Sequence, residues 1–241
     1  GSAVAVAAGL VGFALGTDTA GSGRVPAAFN HLVGMKPPKG RWSTSGLVPA
    51  CRTLDCITVF TARVADAKLV DTVIAGFDPS DPYSRPLENL PLNPTRIGVP
   101  RPDQRAFFGD TASEHFYARA LEPLSKTAEL VALDISFLDE AAKLLYEGPW
   151  VAERTAAIHD LLTNNPEAID PTVREVVEPG LSISAVETFQ GAYRMAALKR
   201  EADQMWEDVD ALAFPTVGTT YRIRELAEAP VALNSHFGKY T

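Results

Sequence analysis

Cysteine is scarce in this chain. The 241 residues hold two, Cys51 and Cys56, spaced C-x4-C with no second pair and no nearby couple of histidines. That excludes a disulfide framework and a zinc site, and the two thiols are expected as reduced core residues. Long apolar runs are missing too. Residues 3–15 form the one membrane-like stretch, yet it is rich in alanine and glycine and shorter than the ~20 residues a bilayer span requires. No Lys or Arg precedes Arg24 and there is no initiator Met, so the basic region of a signal peptide is lacking, and the chain reads as cut from something longer. Positive charge is the minority sign: 22 basic residues against 30 acidic give a net charge of −8. Nucleic acid and membrane surfaces are therefore not expected partners, and a soluble cytoplasmic protein is.

Several motifs are absent as well. There is no Gly-x-x-x-x-Gly-Lys-Ser/Thr loop and no G-x-G-x-x-G opening a helix, so nucleotide binding has no support and no cofactor is expected. The G-x-S-x-G elbow fails, because Ala20 precedes Gly21 and Arg24 follows Gly23. The four histidines, His31, His115, His159 and His236, carry no motif around them, which leaves Ser-His-Asp chemistry without a base.

What is present is an alternating order of elements in a chain that is 46% apolar, long enough to bury one sizeable core. Residues 2–9 are helix-permissive, 13–15 suit a short strand, and 62–75 carry apolar residues at helical spacing. A proline-rich surface excursion follows at 78–94. Residues 96–100 and 130–136 read as buried strands around a helix over roughly 110–130, a β-α-β order. Helical stretches come next near 138–147, 150–164 and 169–178. Ser184 reads as an N-cap, with Glu187 completing a capping box, for a long helix through about Asp208, and 211–216 reads as another buried strand. There is no internal repeat. The class is α/β with a mixed or parallel sheet between helices.

One stretch asks for chemistry. GTDTAGSGRV (16–25) sets Ser22 among glycines and small residues just ahead of Arg24 and Pro26. From residue types alone it is either a tight turn that needs its glycines or a serine nucleophile activated by something other than histidine. The surrounding segment, GSAVAVAAGLVGFALGTDTAGSGRVPAAFNHLVGMKPPKG (1–40), resembles the second half of the signature of the amidase signature family. The resemblance implies an α/β fold with a mixed central sheet sandwiched by helices, of which residues 1–241 would be an internal portion of a single domain, incomplete at both ends. It implies that Ser22 attacks an amide carbonyl and that the backbone amides of Thr19, Ala20, Gly21 and Ser22 form the oxyanion hole. It also implies that Asp18 and Arg24 pair across the loop and brace it. In the family a lysine activates the nucleophile by way of a serine in a cis peptide. That serine lies 24 residues before the nucleophile, which would set it ahead of Gly1, with the lysine further upstream. Lys36 and Lys39 are then not the base, and the chain by itself would be inactive.

Finer details point to one branch of the family. TSGLVPACRTLDC (44–56), DPYSRP (81–86), LLYEGPWVAERTAAI (144–158) and APVALNSHFGKYT (229–241) resemble the allophanate hydrolases. The substrate implied is a small N-carboxylated urea, hydrolysed with release of ammonia through a serine acyl-enzyme, in a parent enzyme that is a homo-oligomer. Tyr146 and Arg154 match the tyrosine and arginine that hold the substrate carboxylate, with Gly148-Pro149 leading into a helix that carries Arg154 in its second turn. The alternatives are another amidase-signature hydrolase, such as an aliphatic amidase or the amidase subunit of a transamidating complex, and a non-catalytic binding module.

Overall fold

In the computed structural model, which describes residues 1–86 and 93–241, the run Cys56–Thr61 (CITVFT) is buried at all but one position. A strand so apolar and β-branched must be covered on both faces, and it is. The chain forms two compact units, one of residues 1–90 with Thr241 and one of 91–240. The first begins with helix α1 (Ser2–Ala7), strand β1 (Phe13–Asp18), the short helix α2 (Val25–Phe29) and strand β2 (Val33–Met35); strand β3 (Cys56–Thr61) and helix α3 (Val64–Ile74) follow. β3 lies in the middle of an antiparallel sheet ordered β1-β3-β2. Its alternation splits the core: Phe60 packs with Ala3, Val6 and Ala27 of α1 and α2, while Val59 packs with Trp42 and with Ala67 of α3. Cys51 and Cys56 are both buried, and neither is in a disulfide.

The second unit runs β4 (Arg96–Pro100), α4 (Thr111–Leu124), β5 (Glu129–Leu133), α5 (Ser136–Tyr146), α6 (Trp150–Asn164), α7 (Pro171–Val177), α8 (Ala185–Asp208), β6 (Ala211–Leu212), α9 (Ile223–Glu228) and α10 (Pro230–Phe237). Its sheet is parallel, ordered β5-β4-β6. Leu133 and Ile135 meet Met205 and Val209 in its main cluster, so the end of α8 closes over the sheet.

Most expected elements appear where their signals lie, and the departures have local causes. Glu129 and Leu130 leave the helix expected over 110–130, because the ladder to Arg96 and Ile97 claims them. Strand β6 stops at Leu212 short of the expected 216, where Pro215 has no N–H to offer a ladder. α6 covers the expected span but kinks at Ile158, whose backbone leaves the helical region. The strands fall into two three-stranded sheets, one antiparallel and one parallel. Of the proline-rich excursion, 87–92 lie outside the described residues.

The capping box at the head of α8 is complete: Ser184 Oγ accepts the Glu187 N–H at 3.2 Å, and Glu187 accepts the Ser184 N–H at 2.8 Å. Replacing Ser184 by Ala should therefore cost about 1 kcal/mol. Thermal unfolding should register it as a fall of roughly 3 °C in Tm, and an unchanged Tm would show that the cap contributes nothing.

Candidate active site

The loop after β1 is built around one buried carboxylate. Asp18, the last residue of β1 and 1% exposed, accepts five hydrogen bonds. Its Oδ1 takes the Gly21 N–H at 2.7 Å and Arg24 Nη2 at 2.9 Å. Its Oδ2 takes the Gly23 N–H at 3.1 Å, the Arg24 N–H at 3.2 Å and Arg24 Nε at 2.9 Å. Burial alone would push the Asp18 pKa up, but the Arg24 guanidinium and the Gly21 and Gly23 amides outweigh it and hold the carboxyl below its usual range. The expected brace between Asp18 and Arg24 is thus present as a two-pronged ion pair.

Drawing three amides onto one carboxylate forces the chain into a tight curl, and two glycines permit it. Gly21 has φ +115°, a conformation that side chains resist. A Cβ on Gly23 would lie 2.5 Å from Thr58 Oγ1 on β3, so nothing larger fits there. Between these two buried glycines Ser22 is exposed. The curl therefore presents the one hydroxyl and hides its neighbours. Of the amides expected in the oxyanion hole, that of Gly21 is already donated to Asp18.

A second carboxylate, which sequence reasoning missed, ties the loop to the rest of its unit. Asp55 is 4% exposed and accepts Thr19 Oγ1 at 2.5 Å together with the Ala50 and Cys51 amides. Lys39 secures the same turn from below, donating to the Arg52 and Asp55 carbonyls at 2.7 and 2.8 Å. Lys36 donates to the Pro37 carbonyl and to Cys56 Sγ. Both lysines are thus occupied in shaping the turns around β3. Nothing near Asp55 in the sequence signals its role, since the hydroxyl it accepts lies 36 residues away.

In the second unit Tyr146 and Arg154 come together. Tyr146 is the last residue of α5, inside the helical stretch expected near 138–147, and Pro149 is the N-cap of α6. The three-residue corner between the helices brings the Arg154 guanidinium over the Tyr146 ring, 5.2 Å from its centroid. Arg154 Nε is buried and has no hydrogen-bond partner among the described residues. A buried guanidinium N–H without an acceptor is costly in a finished core and apt in a site for an anion.

Residues 1–235 match the protein family described as Amidase. The chain belongs to the amidase family. It is 42% identical over its whole length to the urea amidolyase of Lachancea kluyveri and 40% identical to that of Saccharomyces cerevisiae, spanning 14% of each. The allophanate hydrolase of Kluyveromyces lactis superposes with a TM-score of 0.95 at 38% identity over all of this chain and 40% of that one. The chain thus spans less than half the length of each of these three relatives.

Because the loop hangs on Asp18, Asp18→Asn should lower stability by about 3 kcal/mol near neutral pH, leaving Arg24 without its counter-charge. A depressed folded-state pKa means that this contribution is present above the unfolded value, about 3.9, and is lost as pH falls through the folded one. Denaturant titrations should therefore show a constant gap between wild type and variant above about pH 5 that narrows below about pH 4. A gap independent of pH would contradict the assignment.

Proposed function

We propose that this chain is part of the amidase domain of an allophanate hydrolase, with residues 1–241 an internal portion of that one domain. The observation that carries the reading is the Asp18-centred loop, which exposes Ser22 between two buried glycines. Similarity of the whole of this chain to parts of urea amidolyases and of an allophanate hydrolase supports the choice of substrate.

In this reading Ser22 Oγ attacks the terminal carbonyl carbon of allophanate. The new C–O bond pushes the carbonyl electrons onto oxygen, where backbone amides of Thr19, Ala20, Gly21 and Ser22 receive the charge. Gly21 contributes only so far as Asp18 shares its N–H. The hydroxyl proton passes to the base, assigned by resemblance to the family's lysine acting through a serine, and from there to the leaving nitrogen. Ammonia departs as the C–N bond breaks, and water hydrolyses the acyl-enzyme to restore the Ser22 hydroxyl. Arg154 and Tyr146 hold the substrate carboxylate, which supplies the acceptor that the buried Nε lacks.

Two measurements on the protein expressed from its complete gene test this reading. Ser22→Ala should abolish ammonia release from allophanate while shifting Tm by less than about 2 °C, since the hydroxyl is exposed and supports no packing. Turnover retained in that variant removes Ser22 from its role. Arg154→Ala should raise KM for allophanate by roughly 30- to 100-fold, the weight of a charge-assisted hydrogen bond, and change KM for acetamide by less than about threefold. Equal losses on both substrates would make the arginine structural.

A further inference from the structure

The turn after α10, Gly238–Tyr240, runs against the side chain of Tyr146. It is anchored on both sides. Phe237 before it is buried. Lys239 Nζ pairs with Asp139 Oδ1 on α5 at 2.5 Å, and the Tyr240 hydroxyl accepts the Ala106 N–H at 2.6 Å. Gly238 between them has φ −81° and ψ −1°, ordinary right-handed backbone open to any residue. Its lack of a side chain is therefore not a demand of conformation. It is a demand of space: a Cβ on Gly238 would lie 2.9 Å from Tyr146 Oη and 3.4 Å from its Cζ. The atom that would be struck is the far end of a side chain that is 41% exposed, so the relief available is a swing of the phenol away from its place.

We propose that Gly238 determines specificity for carboxylated amides by fixing where the Tyr146 hydroxyl sits. The bare backbone leaves room for the phenol to lie beneath the Arg154 guanidinium with its hydroxyl at the turn. Any side chain at 238 moves that hydroxyl and loosens the hold on a substrate carboxylate. The inference rests on the reading of Tyr146 and Arg154 as the carboxylate-holding pair. Gly238 is a positioning residue, acting through Tyr146.

The test is a double-mutant cycle on the protein expressed from its complete gene, read as ammonia release from allophanate. Gly238→Ala should raise KM about tenfold and change kcat less than threefold, because binding is lost while the reacting groups are untouched. Tyr146→Phe should raise KM to a similar extent. Adding Gly238→Ala to Tyr146→Phe should change KM less than twofold, since the atom it displaces is already gone. An unchanged KM in Gly238→Ala, or a fully additive double variant, overturns the inference. Should Gly238→Ala fail to fold, Tyr146→Phe should restore soluble protein by removing Oη; failure of the double variant too would place the need for glycine in the backbone and overturn it equally. If Tyr146→Phe and Arg154→Ala both leave KM for allophanate unmoved, the carboxylate reading itself falls and takes this inference with it. If they raise KM and Gly238→Ala does not, only the role of Gly238 falls.

Discussion

The Asp18 carboxylate is the constraint on which the loop that carries Ser22 depends. A carboxylate removed from water is stable only if donors replace its hydration, and here five converge on two oxygens. Three of the five are backbone amides within six residues of Asp18, so satisfying the charge is the same act as folding the loop. Arg24 plays two parts. Its guanidinium neutralises the charge, and its backbone is the residue from which α2 starts. Removing either partner therefore disturbs the electrostatics and the path of the chain together, which an exposed surface pair would not do.

β3 carries this arrangement into the core. Its register on β1 sets Cys56 opposite Asp18 and Thr58 opposite Gly16, so the buried strand lies beside the residues that lead into the loop. Thr58 fills the space where Gly23 lacks a side chain, and its hydroxyl is buried with no partner among the described residues. Asp55, one residue before β3, takes the Thr19 hydroxyl. The loop is thus fixed once by its own carboxylate and once by a carboxylate more than thirty residues away. Two independent anchors keep an exposed serine in one place without burying it, which is the preorganisation a nucleophile and oxyanion donors require.

What could be read from the residues themselves was what local chemistry decides, whereas the pairing of Asp18 with Arg24 was expected from the family resemblance. The Ser184 and Glu187 capping box and the strand at 96–100 each need only residues within a few positions of one another. Gly21 and Gly23 were legible as turn formers for the same reason. Asp55, Thr58 and Gly238 were not, because each matters through a partner far along the chain: Thr19 for Asp55, Gly23 for Thr58, Tyr146 for Gly238. Gly238 is the clearest case, since its backbone angles would suit any residue and only the phenol facing it explains the glycine. The division of the strands into two sheets likewise follows from ladder partners that no single segment reveals.

On the proposed reading, the corner between α5 and α6 is a site that leaves a donor unpaired for its ligand. Stacking on Tyr146 holds the Arg154 guanidinium without consuming the Nε–H, because the ring face attracts the cation and accepts no specific hydrogen bond. Burying Nε in this way without an acceptor costs about 1–3 kcal/mol. A ligand that brings a carboxylate recovers that energy on binding; a neutral amide of the same shape does not. Discrimination then comes less from attraction to the right substrate than from the unrelieved donor that the wrong one leaves behind, the same asymmetry by which polar pockets reject analogues lacking one hydrogen-bonding group. On the proposed reading, the corner selects charge while the Asp18 loop performs the chemistry, and the two tasks are assigned to separate elements of the chain.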